Sequence, residues 1–302
     1  MKKKSAAFIA VDIIYLCLMI LPIIAGIVLK VLTKPLSEGI SVTGAQVFFT
    51  VPMPIQDLII TESQTNSLIV TLFILGLCLF MTHGIKEVPD TKRQLLLEWI
   101  VEKAEDMTIG NMGEFFKSFP PFIAAILALS AFSSLLGLVG LYSPTSDINI
   151  VGGWAILVFI LITYYKSKCG PMSYIKSFGD PVPFLAPLNI ISEVATPISM
   201  AFRHYGNILS GSVIAVLLAS GLGGLSKIIL GWLPGILGEI PLLQIGIPAV
   251  LSLYFDLFSS ILQAYIFAML TMLYISGGFP ADEYKLKQQK KLKNKSVKTE
   301  VK

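Results

Sequence analysis

Charged residues are scarce in this chain of 302 residues: Asp, Glu, Lys and Arg make up 14% of it, whereas a soluble domain carries about 25%. Hydrophobic residues make up 54%, and the mean hydropathy is +0.77. This composition excludes an ordinary soluble enzyme domain. Several apolar runs approach the ~20 residues that a helix needs to cross a bilayer. The composition therefore predicts an all-α, polytopic membrane protein.

The chain also lacks the motifs of nucleotide, metal and disulfide chemistry. Only three cysteines are present, and Cys17, Cys78 and Cys169 have neither metal-site nor pairing spacing. There is no Walker loop, no G-x-G-x-x-G motif and no His/Cys cluster, so we expect no cofactor and no bound metal. The net charge of +4 comes from basic residues at the chain ends and in short loops. These set membrane orientation and do not indicate nucleic-acid binding.

Six apolar segments have the composition of transmembrane helices. They cover approximately residues 6–32, 67–82, 121–142, 151–165, 188–220 and 247–276. A cleaved signal peptide is the alternative for the first segment, but its apolar core is too long and no A-x-A site follows closely. The fifth segment would be about 50 Å long as a helix, against ~30 Å of hydrocarbon. We therefore expect the last two spans to form a long, tilted hairpin.

Residues 90–107 predict a helix of another kind. Leu96, Ile100 and Ala104 lie on one helical face and charged residues cover much of the rest, which is typical of an amphipathic helix lying in the membrane interface. With six spans, the lysine-rich segments at 2–4, 86–103, 166–176 and the C-terminus fall on one side. That side is predicted to be the cytoplasm, so both termini are expected there.

An arginine stands inside the fifth apolar segment. Arg203 cannot lose its proton, and a charge at the centre of a membrane helix costs at least ~2.5–3.5 kcal/mol. It therefore needs a partner, a water-filled cavity or a function. Steps of three or four residues place further polar side chains on the Arg203 stripe: Ser192, Thr196, Ser199, Asn207 and Ser210. In the sixth segment a second stripe comprises Ser252, Asp256, Ser259 or Ser260, and Gln263.

Two helices with such stripes can line an aqueous path, but each residue also has a structural interpretation. Ser and Thr in membrane helices bond to their own backbone or join helices. Arg203 and Asp256 can form a structural ion pair, and Asp256 can equally relay protons or organise water. Glu193 can be merely interfacial. Gln263 is positioned to hydrogen-bond across to Arg203, whereas His204 points about 100° away from it and is interpreted as a packed residue.

At these residues the chain resembles subunit a of the F-type ATP synthase. The resemblance lies in Pro187–Glu193, Pro197–Asn207 and Leu262–Ser276, with the turn at Pro144–Asn149, and it covers about residues 60–278. A self-contained ion-coupled secondary transporter is the alternative, although no clear internal repeat is visible. A membrane subunit whose polar stripes only pack is the third hypothesis.

The resemblance implies a non-catalytic, ion-translocating subunit of the bacterial plasma membrane that passes H⁺ or Na⁺ through two offset half-channels. Arg203 matches the family's essential arginine, which separates them, and Asn207 and Gln263 match its following asparagine and sixth-span glutamine. Asp256 and Ser212 stand where many members carry acidic or histidine residues, so Asp256 is expected to carry the relay role alone. The half-channel lining is expected to comprise Ser192, Glu193, Thr196, Ser199, Ser210, Ser212, Ser252, Ser259 and Ser260.

The implied partners are a ring of c subunits, the b subunits of the peripheral stalk, the rest of the complex and the lipid bilayer. Nucleic acid is not among them. Along the chain we expect four regions: an additional transmembrane helix over 1–35, an external loop over 36–66, the membrane domain resembling subunit a over 67–278, and a basic cytoplasmic tail over 279–302 that is disordered from Lys285.

Overall fold

The computed structural model describes residues 6–33, 44–54, 56–179, 182–231, 250–251, 253–281, 284–286 and 289. The beginning of the sixth predicted span and most of the predicted basic tail lie outside these residues. Six helices within the described part are long and apolar enough to cross a membrane, which confirms the predicted all-α, polytopic architecture.

The bounds of the helices are α1 Ala6–Thr33, α2 Glu62–Thr82, α3 Lys92–Met112, α4 Pro120–Leu135, α5 Ile148–Lys166, α6 Pro171–Ser177, α7 Ala186–Leu230 and α8 Ser260–Gly277. Most of the helices between α2 and α7 are joined by short connections. A π-helical segment, Leu253–Ser259, leads directly into α8. The six candidate spans comprise α1, α2, α4 with its 3₁₀ extension, α5, α7, and α8 with its π-helical segment.

Local sequence explains where several helices begin. Thr61 and Gln64 form a reciprocal capping box at the start of α2, and the Thr91 side chain accepts the Gln94 N–H at the start of α3. The Asp147 carboxylate accepts the Asn149 N–H at the start of α5. Each cap satisfies backbone donors that the first helical turn leaves without partners.

A two-stranded antiparallel hairpin, absent from the sequence prediction, lies between α1 and α2. It pairs β1, Val47–Val51, with β2, Leu58–Thr61. Both strands are rich in β-branched and aromatic residues, which favour extended backbone. The predicted loop therefore contains regular structure directly before the first residue of α2.

Helix α3 is confirmed as a helix that is not a candidate span, and its two faces have different surroundings. Leu96 and Ile100 are about half exposed, whereas Gln94, Thr108 and Met112 are buried. The protein thus packs against a more polar face, and the apolar residues predicted to share a face with Ala104 point outwards. A sequence periodicity alone does not reveal which side of such a helix meets protein and which meets lipid.

Helix α7 is longer than predicted: it has 45 residues and contains Pro197 without interruption of the helix. The glycines that follow residue 220 do not end it. Each helical glycine costs about 1 kcal/mol, but in lipid an unpaired backbone group costs several. Continuing the helix is therefore favoured over a loop.

The main core lies where α4, α5, α7 and α8 meet, with the end of α3 packed against it. Its fully buried members include Ile123, Val158, Met200, Phe267 and Met272. This core fixes the rotation of α7 about its axis, and so decides which α7 side chains remain outside.

Candidate functional site

One face of α7 stays open in the isolated chain. Ser199, Arg203, Asn207 and Ser210 are all exposed on it, as their spacing of three or four residues predicts. Met200 and His204 face the core and are 2% and 0% exposed. The charged residue and the histidine are adjacent in sequence but point in different directions.

Arg203 has no acidic partner among the side chains that the structure describes. Its guanidinium stands on the open face beside apolar residues such as Phe202, which is 60% exposed. The hypothetical partner Asp256 belongs to the π-helical segment, but its side chain lies outside the described part of the structure, as does Ser252. The ion-pair interpretation therefore remains a prediction.

Gln263 connects α8 to this open face. The residue is 2% exposed, and its Oε1 accepts a hydrogen bond of 3.2 Å from Asn207 Nδ2. The partner expected from the sequence was Arg203, whereas in the described residues it is Asn207, one turn further along α7. Gln263 Oε1 is therefore bonded to Asn207, and no hydrogen bond to Arg203 is present among the described residues.

A polar cavity opens at the C-terminal end of α5. Its volume is about 430 Å³, and Ser192, Glu193 and Thr196 of α7 line it together with Lys166 and Asn189. We call it the Glu193 cavity. The structure thus brings three of the predicted lining residues into one space.

Glu193 is the centre of the hydrogen bonds in this cavity. Its oxygens lie 2.8 and 2.7 Å from Lys166 Nζ, and Tyr174 Oη donates to it over 3.3 Å. The Glu193 side chain is 11% exposed and that of Lys166 27%. Burial, and next the negative charge of Glu193, raise the pKa of Tyr174, so this phenol stays a donor.

A second polar region lies at the opposite end of α5. Buried Glu62, 2% exposed, accepts the Tyr142 N–H over 3.2 Å, and Ser63 donates to the Asp147 carboxylate. Asn66 Nδ2 donates to the Tyr142 carbonyl over 2.7 Å. We call these residues the Glu62 cluster: Glu62, Ser63, Asn66, Tyr142 and Asp147.

Buried hydroxyls continue from this cluster into the bundle. Ser143 and Thr145 Oγ atoms are 2.7 Å apart, and Thr145 and Ser134 are 2.9 Å apart. Ser134 donates to the Ser130 carbonyl over 3.0 Å. The Ser130 hydroxyl in turn lies 3.3 Å from His204 Nε2. The row therefore leads from the Glu62 cluster to α7, beside Arg203.

His204 ends the hydroxyl row inside an aromatic enclosure. Trp154 and Phe267 meet its ring edge-on at centroid distances of 6.2 and 5.4 Å. Its Nδ1 is buried and has no hydrogen-bond partner among the described residues, and the same holds for the Ser133 hydroxyl. Buried polar atoms of this kind are ordinarily satisfied by water.

The length of α5 gives the approximate distance between the two polar regions. It has 19 residues and is therefore about 28 Å long, close to the ~30 Å of hydrocarbon in a bilayer. Asp147 caps one end and Lys166 ends the other. Arg203 is ten residues beyond Glu193 on α7, or about 15 Å, which is half of that thickness.

The sequence prediction missed the Glu62 cluster and the hydroxyl row. They come from α2, α4 and the turn before α5, whereas the prediction followed only the two stripes on the last spans. One sequence signal was present: the first turns of α2 carry acidic, hydroxyl and amide side chains, whereas the rest of this helix is mostly apolar. Their convergence depends on tertiary packing and has no sequence periodicity.

Several predicted lining residues, including Thr196 of the Glu193 cavity, also make hydrogen bonds within their own helix. Thr196, Ser210 and Ser212 donate to carbonyls of their own helix over 2.9, 3.1 and 2.8 Å. Ser259 is half-buried and Ser260 is buried, at 1% exposure. Within the described residues, no group of three or more His, Cys, Asp or Glu could hold a metal ion.

Comparisons with known proteins identify the family of the chain. The family model for the ATP synthase A chain matches residues 65–276. Subunit a of Bacillus pumilus (strain SAFR-032) is 32% identical over 238 residues, covering 72% of this chain and 92% of that protein. ATP synthase subunit a, sodium ion specific, of Propionigenium modestum is 37% identical over 147 residues, covering 48% and 43% of the two chains.

The matched region begins within α2 and ends within α8, so it contains Arg203, Asn207, Gln263, the Glu193 cavity and the hydroxyl row. It leaves out α1 and the hairpin. The chain belongs to the ATP synthase A chain family, and is thus a multi-pass membrane subunit a of an F-type ATP synthase.

Proposed function

We propose that this subunit passes the coupling ion between two aqueous half-channels and the carboxylates of a c-subunit ring, with Arg203 between the two routes. The observation that carries the proposal is the position of Arg203. It stands on an open face, half-way between two polar regions at opposite ends of α5, with no acidic partner among the described side chains. A permanent cation at that depth needs a negative partner, and the partner we assign is the ring carboxylate.

The Glu193 cavity is the proposed cytoplasmic half-channel, because Lys166 and the lysines that follow it favour the cytoplasmic side. The Glu62 cluster and the hydroxyl row form the proposed external half-channel. The two are offset: the first reaches the open face of α7 along Ser192, Thr196 and Ser199, and the second reaches its buried face at His204.

Arg203 has two tasks in this mechanism. Its fixed charge favours the ionised form of a facing carboxylate, and it repels a cation that would cross directly between the half-channels. The ion therefore leaves with the ring and travels almost a full turn before release. Each elementary charge that crosses ~100 mV supplies about 2.3 kcal/mol, which rotation transmits to ATP synthesis.

The exposed face of α7 has the composition that docking against another membrane helix requires. Phe202 and Ile198 are 60% and 49% exposed beside Arg203. The peripheral-stalk b subunits and the catalytic sector complete the proposed assembly. H⁺ and Na⁺ are both compatible with the residues of this chain, and the sodium-specific relative keeps the second ion in consideration.

The substitution Arg203→Ala in the assembled complex tests the proposal. We expect ATP synthesis driven by an imposed ion gradient to fall to background, while ATP hydrolysis by the detached catalytic sector is unchanged. Ile160→Ala on α5 is the matched control, since it removes an uncharged side chain that is 60% exposed and is not on the open face of α7, and it should retain most synthesis. Normal gradient-driven synthesis in Arg203→Ala membranes would refute the proposal.

A further inference from the structure

Helix α1 lies outside the matched family region but is attached to the bundle at both ends by polar contacts whose side chains are buried or partly buried. At its N-terminal end Asp12 Oδ1 lies 2.9 Å from His83 Nδ1 and 3.1 Å from Arg93 Nη1. At its C-terminal end Lys30 Nζ lies 3.0 Å from Glu62 Oε1. The second attachment reaches into the Glu62 cluster.

The α1 and α2 backbones pack closely between these two attachments. A Cβ on Gly76 would come within 3.3 Å of the Met19 nitrogen and the Tyr15 carbonyl oxygen, so the two backbones are in tight contact at this position. A Cβ on Gly26 would come within 2.6 Å of the Ile69 side chain. Close packing fixes α1 against α2, and so delivers Lys30 to Glu62.

The pair of Lys30 and Glu62 is asymmetric in its access to water. The lysine side chain is 32% exposed, whereas that of Glu62 is 3% exposed. The Glu62 carboxylate has almost no contact with bulk water, so a positive charge that compensates it must lie inside the cluster. The Lys30 ammonium group lies in that position. Among the residues that the structure describes, the other charged or titratable groups near Glu62 are Asp147, held through Ser63, and Tyr142, whose backbone N–H Glu62 accepts.

We propose that Lys30 is a positioning residue of the external half-channel: a tethered counterion that keeps the Glu62 cluster from retaining the coupling ion. The inference rests on the proposed function. Without Lys30 the described part of the cluster would hold two carboxylates and no cation, and a mobile cation would bind there in its place. With Lys30 in place, one negative charge is already compensated, so an incoming ion meets a weaker site and moves on along the hydroxyls.

The substitution Lys30→Gln isolates this charge effect, because glutamine retains a hydrogen-bond donor of similar reach. In the assembled complex, ATP synthesis is measured at fixed membrane potential against external pH with Na⁺ absent, and against external Na⁺ at fixed pH. With the ion that supports synthesis, we expect the half-saturating concentration and the maximal rate both to fall several-fold. A purely structural role would lower the rate and leave half-saturation unchanged.

Three further variants bracket the result. Lys30→Arg keeps the charge and should resemble the wild type, and Lys30→Gln combined with Glu62→Gln should shift half-saturation back towards it. Asp12→Asn loosens the other attachment of α1 and should leave half-saturation unchanged. If Lys30→Gln does not assemble, Glu62→Gln serves instead and should raise half-saturation, because Lys30 then repels the ion.

Unchanged half-saturation in Lys30→Gln, or in Glu62→Gln where that variant replaces it, would overturn the inference. An equal shift in Asp12→Asn would do so as well, since α1 docking alone would then explain the result. Arg203→Ala separates this failure from failure of the proposed function. If that variant abolishes synthesis while the Lys30 variant behaves as wild type, only the role of Lys30 is lost.

Discussion

The two faces of α7 differ in almost every physical property although their residues alternate in sequence. The buried face carries Met200 and His204, packed against α4, α5 and α8. The open face carries Ser199, Arg203 and Asn207, and of these only Asn207 has a cross-helix hydrogen bond in the described structure. One face of α7 therefore packs in the core of the bundle, and the other is available to contact a partner.

The comparison teaches that the position of the arginine on the helix matters more than its presence in the membrane. A residue one place further along turns about 100° and enters the core. The following predictions change one face at a time.

Moving the charge to the buried face has the largest expected effect. In the double variant Arg203→Met with His204→Arg, the guanidinium would enter the enclosure of Trp154 and Phe267. Burial of an ion without a partner costs several kcal/mol, so we expect little assembled complex by blue-native electrophoresis. Moving it along the open face, by Arg203→Asn with Asn207→Arg, should instead permit normal assembly; failure of both variants to the same degree would break the comparison.

Truncation of the buried face should destabilise the subunit, whereas truncation of the open face should not. Met200 is 2% exposed, and Met→Ala in a core costs about 2–5 kcal/mol. The neighbouring Ser199→Ala should change stability by less than about 0.5 kcal/mol. Thermal unfolding of the purified subunit in detergent measures both, and equal losses would contradict the assigned orientation of α7.

The link between Asn207 and Gln263 is expected to have an intermediate effect. Asn207→Ala leaves a buried acceptor without its donor, at a cost of about 1–3 kcal/mol. Gln263→Ala should cost a similar amount, and the double variant should cost less than the sum of the two. Strict additivity in a double-mutant cycle would indicate that the 3.2 Å contact contributes nothing.

The smallest effect is expected from Ser210→Ala and Ser212→Ala. Both hydroxyls are exposed and donate to carbonyls of their own helix, bonds whose backbone acceptors remain paired after substitution. We expect wild-type stability and gradient-driven synthesis within experimental error. A large loss of synthesis in either variant would indicate that its hydroxyl takes part in ion passage.

The sequence reveals the repeating part of this architecture and misses the part that depends on packing. Six apolar runs predicted six spans, and a spacing of three or four placed Ser199, Arg203 and Asn207 together, because helix geometry is local. The β-hairpin was not predicted, because its apolar strands are short and lie in a segment whose composition indicates a loop.

The Glu62 cluster was not predicted for a different physical reason. Glu62 and Asp147 are 85 positions apart, and only the packing of α2 beside the turn before α5 brings them together. The same limit applies to Gln263, whose partner differs from the expected one by a single turn of α7. Composition and period predict which face is polar, while the core decides which polar groups meet.

The most direct test of the central claim is a disulfide cross-linking scan along α7. Single cysteines replace Ser199, Met200, His204 or Asn207 in a chain without Cys17, Cys78 and Cys169, and a second cysteine is placed in the ring helix beside its carboxylate. The account predicts cross-links from positions 199 and 207 and none from 200 and 204. Cross-links from 200 and 204 with none from 199 and 207 would contradict it.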